Sequence, residues 1–267
     1  MEVKSVGYYA YHLALREEDL KGVEVAITPG APERCEKIAG FIGPFQVLAF
    51  HREFKSVLAS GKNGRVLVVS SGIGGASLSI MVEELARLGI KVFLRIGTCG
   101  AIQEEILVGD LVISEGAVRM DGVSCHYAPL AYPACADFGL VHCLKRACED
   151  LQYRYHMGIT CSSATFYPGQ ERYDTFTGYV LRELQGSLEE WRQLRVLNYE
   201  MEVATLLTVA RVFGLRAGAL CGVLVNRLQE ENVSPEVVEK VEVRLAQVAG
   251  RTAELILDSL RGKDDVS

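Results

Sequence analysis

The chain has 267 residues, 49% of them hydrophobic, and its 28 Lys+Arg against 34 Asp+Glu leave a net charge of -6. A globule of this length buries about 73% of the surface its unfolded chain exposes, so no metal or disulfide is needed to hold a core. That balance excludes a disordered chain, and the net acidity argues against nucleic acid or an anionic membrane as a partner, since both demand a basic face.

Short β-rich apolar runs alternate with helical patterns along the chain. Val23–Ile27 reads as a strand, followed by a Pro-Gly loop and a helix from near Pro32. Phe45–Leu58 and Arg65–Ser70 read as strands joined across the Gly61-Lys-Asn-Gly64 turn. Ser71-Gly-Ile-Gly-Gly75 leads into a helix with apolar residues at 78, 81, 82, 85 and 88, the spacing of one buried face. Val92–Ile96 is a buried strand that should end in the turn Gly97-Thr-Cys-Gly100. Asp110–Val118 is another strand, and Asp137 is an N-cap for a helix burying 140, 144, 147, 148 and 151. Strand-like Tyr155–Ser162 precedes a polar, aromatic segment, Ala164–Thr177. Ser187-Leu-Glu-Glu190 has the form of a capping box. Strand 196–199, helix 202–213 and strand 215–225 follow, and Ser234-Pro235 opens a terminal helix. This rhythm, with no linker or repeat, predicts one α/β domain around a mostly buried sheet.

The eight cysteines never form Cys-x-x-Cys, which excludes zinc-ribbon and thioredoxin spacings and points to reduced, mostly buried thiols of a cytoplasmic protein. The amino terminus shows no basic region followed by an apolar one, so no leader is expected. Ala204–Val225, the most apolar stretch, is interrupted by Arg211 and Arg216.

Ligands of such sheets sit beyond the carboxyl ends of strands, so the loops at 28–34, 70–77 and 96–100 carry most interest. Gly30 lets backbone approach an anion, the following helix offers a positive end, and Arg34 adds a bidentate fork. A plain strand-to-helix turn with a solvated arginine accounts for the same residues. Arg95 lies inside an apolar strand, where an unpaired charge is costly, so it must meet a carboxylate or an anionic ligand. Ser71–Ser77 lacks Gly-x-Gly-x-x-Gly spacing and a Walker lysine, so close helix packing explains its glycines better than a nucleotide does. Phe166-Tyr-Pro-Gly-Gln-Glu-Arg172 combines an aromatic, a carboxamide and a guanidinium, a set suited to a flat heterocycle with carbonyl and imide edges or to a packing loop. Asn198-Tyr-Glu-Met-Glu202 places carboxylates at a helix start, where they suit a sugar diol or the helix dipole alone.

Taken in this order, these segments resemble the nucleoside phosphorylase-I family through nearly the whole chain, from Tyr11-His-Leu13 to the final helix. The residues that carry the resemblance are Pro29–Arg34, His51-Arg-Glu-Phe54, Ser71–Gly75, Leu94–Thr98, Phe166–Asp174, Asn198–Glu202 and Val225-Asn-Arg227. Segment 166–174 aligns it with the uridine-cleaving rather than the purine-cleaving members. The resemblance implies one domain over 1–267, a three-layer α/β/α fold with a central mixed, partly barrel-like sheet. It also implies reversible phosphorolysis of uridine, with deoxyuridine and thymidine as further candidates, to uracil and ribose 1-phosphate. By that likeness Gly30, Arg34, Arg95 and Thr98 hold phosphate, joined by Arg52 from a neighbouring subunit. Met201, Glu202 and Thr98 hold ribose, with His12 from the neighbour. Phe166, Gln170 and Arg172 read the base, with Cys99 and Gly100 beside it. Arg95, Gln170, Arg172 and Glu202 are the catalytic set. No cofactor is implied beyond phosphate as co-substrate. The family forms dimers or hexamers with shared sites, and some members hold a monovalent cation such as K+ at the dimer interface, at positions matching Glu53, Ile73 and Ser77. Ala31 stands where relatives commonly carry a polar residue, and Cys99 where they carry a small hydroxyl. A nucleosidase that uses water, and a nucleoside-binding protein without turnover, are the rival readings.

Overall fold

In the computed structural model, which describes residues 7–229, 231 and 233–264, the chain forms twelve strands and six α-helices among the described residues. Most of the amino-terminal stretch read for a leader lies outside them. In chain order the elements are β1 (Tyr9–Ala10), β2 (Leu15–Arg16), β3 (Val25–Pro29), α1 (Arg34–Ile42), β4 (Phe45–His51), β5 (Phe54–Gly61), β6 (Gly64–Val69), α2 (Gly75–Arg87), β7 (Val92–Ala101), β8 (Leu111–Met120), β9 (Ala134–Cys135), α3 (Phe138–Asp150), β10 (Tyr155–Ser163), α4 (Ser187–Gln193), β11 (Asn198–Glu200), α5 (Val203–Val212), β12 (Arg216–Asn226) and α6 (Pro235–Asp264).

Strand alternation sorts side chains into two apolar layers. Val25 and Ile27 of β3 face a core shared with Ile38, Leu140, Leu144 and Leu245, whereas Ala26 and Phe93 face Leu78, Met81, Val82 and Leu207. Helices α1, α3 and α6 thus cover one face of the sheet and α2 and α5 the other, which is the expected three-layer α/β/α arrangement. The sheet runs β11-β10-β8-β12-β7-β3-β6-β5-β4, and β11 pairs again with β7. That last pairing closes β7, β12, β8, β10 and β11 into a five-stranded barrel of mixed direction, while β3 to β6 remain an open wing.

Three local expectations are corrected. The run 45–58 is not one strand: β4 and β5 form an antiparallel hairpin that reverses at Arg52, whose φ is +55°. The segment 97–100 is not a turn. β7 continues to Ala101 because Gly100 and Ala101 pair with Tyr199 and Asn198. Its glycines serve close approach instead, since a Cβ at Gly97 would lie 3.1 Å from Cys221 Sγ and one at Gly100 3.3 Å from the Arg227 side chain. The capping box at Ser187 does not form. Gly186 precedes α4 in a left-handed conformation, and the distant Glu171 carboxylate accepts the Gly186 amide at 2.5 Å and that of Leu188 at 2.7 Å. Asp137 does cap α3, accepting the Leu140 amide at 3.0 Å, and Ser234 receives the Val237 amide at 3.3 Å. None of the described helices is long and apolar enough to cross a membrane.

Candidate active site

The position of the site follows from strand β7. Along one edge β7 pairs continuously with β12. Along the other, residues 92–96 pair with β3, and 100–101 pair with the oppositely directed β11. The carboxyl ends of β3 and β11 therefore approach each other beside residues 97–99, delivering Gly30–Arg34 from one side and Met201–Glu202 from the other. A cavity of about 730 Å³ opens there.

Arg95 lies at its base, buried, with its guanidinium folded over the bare Cα of Gly97. It pairs with Glu202, and its Nε lies 3.4 Å from Glu200 Oε2 without hydrogen-bond alignment. Burial alone would lower the affinity of Arg95 for its proton, but the charges of Glu202 and Glu200 outweigh that and hold its pKa above the ordinary value. Nε and Nη1 are both buried without a hydrogen-bond partner. Arg34 is buried as well, its closest carboxylate is Glu242 at 3.8 Å, and its Nη2 is also partnerless. Burial, with a smaller push from Arg95, lowers its pKa. The amides of Arg34 and Cys35 are taken by the carbonyls of Ala31 and Pro32 at 3.2 Å, so in this loop the guanidinium rather than the helix end offers the spare donors. Gly30 and Thr98 line the same cavity.

The carboxylates come from the end of β11 and the start of α5. Glu202 accepts the Gly74 amide at 2.5 Å in addition to pairing with Arg95. Glu200 accepts the amides of Glu202 at 2.7 Å and Val203 at 3.0 Å, and the Ser162 hydroxyl. Burial dominates the titration of Glu200 and lifts its pKa to about 7, against the opposing pull of Arg95. Sequence reasoning noticed carboxylates at 198–202 but passed over Glu200. Its signal in the sequence is an acid at the last position of a buried strand.

A second group of side chains comes from the loop after β10. The Arg172 guanidinium lies over the Phe166 ring, its Cζ 4.3 Å from the centroid, and Gln170 is buried. Arg172 Nη1 donates to Glu231 at 2.5 Å, while its Nε is buried without a partner. Arg227 donates from Nε to Glu231 at 2.6 Å and from Nη1 to the Gln170 carbonyl at 2.9 Å. Glu231 and Arg227 were not among the expected site residues, and only their fold-level proximity reveals them. Cys99 and Gly100 line the cavity between the two groups; burial, then the neighbouring Cys221, pushes the Cys99 thiol well above its ordinary pKa.

Met201 lines the cavity, whereas His12 and Arg52, expected from a neighbouring subunit, do not line this chain's own. His12 Nδ1 lies 2.6 Å from Glu84, whose carboxylate also accepts the His12 and Leu13 amides at 3.1 Å. Arg52 occupies the β4–β5 hairpin tip. Glu53, Ile73 and Ser77 meet at the cavity rim, where Ser77 donates to Glu53 at 2.8 Å. Gly72 lies between them with φ +68°, and a Cβ there would sit 2.8 Å from both side chains.

A profile of the Phosphorylase superfamily matches residues 24–261, the stretch that forms this partly closed mixed sheet and carries its buried arginines and carboxylates. The chain belongs to that family. It is 50% identical to the uridine phosphorylase of Salmonella typhimurium over 247 residues, covering 92% of this chain and 98% of the relative. The uridine phosphorylase of Escherichia coli strain K12 is 49% identical over the same shares. The guanosine phosphorylase of Halorubrum lacusprofundi is 38% identical over 212 residues, covering 79% of this chain and 81% of the relative.

Proposed function

We propose that this enzyme cleaves uridine with inorganic phosphate, reversibly, to uracil and ribose 1-phosphate in pyrimidine salvage. The observation that carries the reading is the pair of buried guanidiniums, Arg34 and Arg95, each with N–H groups that no protein atom satisfies, beside a second group able to grip a flat base.

Arg34 and Arg95, with Gly30 and Thr98, fix the phosphate dianion under the sugar. This aligns the nucleophile and places negative charge where the ribosyl carbon becomes positive. Glu202 and Met201 hold the ribose hydroxyls, with Arg95 paired to Glu202 so that the anion and sugar sites share one cation. Phe166 packs against the uracil, and Gln170 and Arg172 donate to its carbonyl edge as the base leaves as an anion, an interaction that grows toward the transition state. Cys99 and Gly100 form the wall next to the base.

Charge arithmetic supports a site shared between subunits. Within one chain Arg34 and Arg95 are set against Glu202 and Glu242, with Glu200, lifted by burial above the usual carboxylate range, beside them. A dianion therefore needs another cation, and Arg52 of a second copy supplies it, with His12 of that copy reaching the ribose. We read the chain as one domain that works as a dimer or a hexamer of dimers. In this reading Glu53, Ile73 and Ser77 offer a carboxylate, a carbonyl and a hydroxyl to a monovalent cation such as K+, the oxygen donors that hard cations take. Eight free thiols fit a reducing cytoplasm.

Loss of ultraviolet absorbance on incubation with uridine tests the reading. It should require phosphate and yield ribose 1-phosphate. Ribose released without phosphate would make the protein a nucleosidase, and uridine binding without product would make it a nucleoside-binding protein. Thymidine, deoxyuridine and inosine in the same assay define how strictly Glu202 requires the 2′-hydroxyl and how strictly the base group requires a pyrimidine.

A further inference from the structure

The Glu231 carboxylate stands between two arginines on the base side of the cavity. One oxygen accepts from Arg172 at 2.5 Å and the other from Arg227 at 2.6 Å. Arg227 in turn donates to the backbone carbonyl of Gln170 at 2.9 Å. The bridge thus links three parts of the chain: the loop after β10, the end of β12 and the segment that leads into α6. Glu231 is the group that makes this arrangement electrostatically tolerable. Burial, followed by the nearby charge of Arg172, lowers the pKa of Arg227, and Glu231 is the carboxylate that opposes both.

We infer that Glu231 is a positioning residue for base release: by bridging Arg227 and Arg172 it holds the Arg172 guanidinium over Phe166, at the wall of the cavity, with its Nε left free of any protein partner. The inference rests on the phosphorolysis reading and adds to it. Two guanidiniums and one carboxylate leave a net single positive charge at the base end. That charge is available to a departing uracil anion, while the bridge prevents the two arginines from repelling each other out of place. Arg172 alone, on a flexible side chain, would have to be immobilised during each turnover, and a preorganised donor avoids that cost. Both carboxylate oxygens of Glu231 are taken by arginines, so its influence runs through Arg172.

Steady-state kinetics of the full-length chain test this with wild type, Glu231→Gln, Arg172→Ala and the double variant, using uridine, 5-fluorouridine and phosphate. Glu231→Gln should lower kcat/KM for uridine by about ten- to a hundredfold, the scale expected when a catalytic donor is misplaced by an ångström or less. The KM for phosphate should stay within about twofold, because Arg34 and Arg95 are untouched. The deficit should shrink with 5-fluorouridine, whose fluorine makes the base a better leaving anion in need of less help. Adding Glu231→Gln to Arg172→Ala should change the rate less than about threefold, the non-additivity of residues acting through one another. An equal deficit on both nucleosides, a full additive loss in the Arg172→Ala background, or no loss at all would overturn the inference. Should Glu231→Gln melt far below wild type, Glu231→Asp, which keeps the charge but is too short to bridge both arginines, is expected to show the same pattern and is judged by the same outcomes. Wild-type protein that fails to cleave uridine with phosphate would sink the functional reading itself. Wild-type turnover with indifferent Glu231 variants sinks only this inference.

Discussion

Arg95 on β7 and Glu202 at the head of α5, separated by 107 residues in sequence, form a buried ion pair at the point where β7 exchanges its β3 neighbour for β11. The pair explains how a charge can sit inside an apolar strand. It also means that the same guanidinium serves the fold and the proposed chemistry, so its removal has two separable consequences.

Arg95→Ala should reduce kcat/KM by roughly a hundred- to a thousandfold, the equivalent of about 2.7–4 kcal/mol for one preorganised charge-directed donor. The chain should still fold but melt lower. Two buried carboxylates lose their cation, and an orphaned member of a buried pair typically costs about 3–5 kcal/mol, reduced here because Glu200 can take up a proton. Phosphorolysis rates and thermal melts of the variant measure the two effects independently; wild-type turnover would remove Arg95 from the phosphate site.

The raised pKa of Glu200 has a definite sign. A carboxyl that holds its proton to about pH 7 when folded, but only to the ordinary value of 4.5 when unfolded, makes the native state bind more protons between those limits. Its contribution to stability is therefore fully present below pH 4.5 and declines as pH rises to about 7. Urea-unfolding midpoints of wild type and Glu200→Gln across pH 4.5–8 should differ in slope over that window, with the variant flatter. Parallel slopes would mean that Glu200 titrates alike in the folded and unfolded states.

How much of this could be read in the sequence depended on distance along the chain. Apolar periodicity placed α2 through 78, 81, 82 and 85, and short-range capping placed α3 at Asp137, because both signals lie within one element. The arginine in β7 stood out as a cost that some partner must offset, but the partner could not be named, because Glu202 is brought near only by closure of the barrel. Gly97 and Gly100 looked like a turn since glycine signals either reversal or close approach, and only Cys221 and Arg227 packed against them decide which. Arg52 reverses the chain with a left-handed φ on a residue that carries no turn signature. Glu171 caps a helix fifteen residues away, and Glu231 bridges arginines that belong to other loops. Long-range pairings of this kind leave no local periodicity to read.

The placing of Arg52 and His12 outside this chain's own cavity leads to a mixing experiment. Arg52→Ala and Arg95→Ala proteins should each be nearly inactive. In an equal mixture about half of the dimers are hybrids, and each hybrid carries one site with both arginines intact, so about a quarter of wild-type activity should return. Hybrids that form, as shown by differently tagged subunits purifying together, yet remain inactive would place Arg52 outside the working site.

Gly75, the first residue of α2, tests whether the glycine loop 71–77 serves packing. A Cβ there would come within 2.3 Å of Thr205 Oγ1 and 3.1 Å of Val123, so α2 could not keep its present approach to α5. Overpacking of this kind typically costs about 1–3 kcal/mol. Gly75→Ala should lower the melting temperature and, because the neighbouring Gly74 amide donates to Glu202, raise the KM for uridine more than that for phosphate. Gly74→Ala has open space for its methyl but a φ of +89°, a backbone strain without a clash. If packing is the reason for Gly75, Thr205→Ala, which also removes the bond that the Thr205 hydroxyl donates to Asp121 at 2.6 Å, should cost less stability in the Gly75→Ala background than in wild type or in Gly74→Ala. An equal cost in all three backgrounds would show that the loop's glycines are required for something other than the fit of α2 against α5.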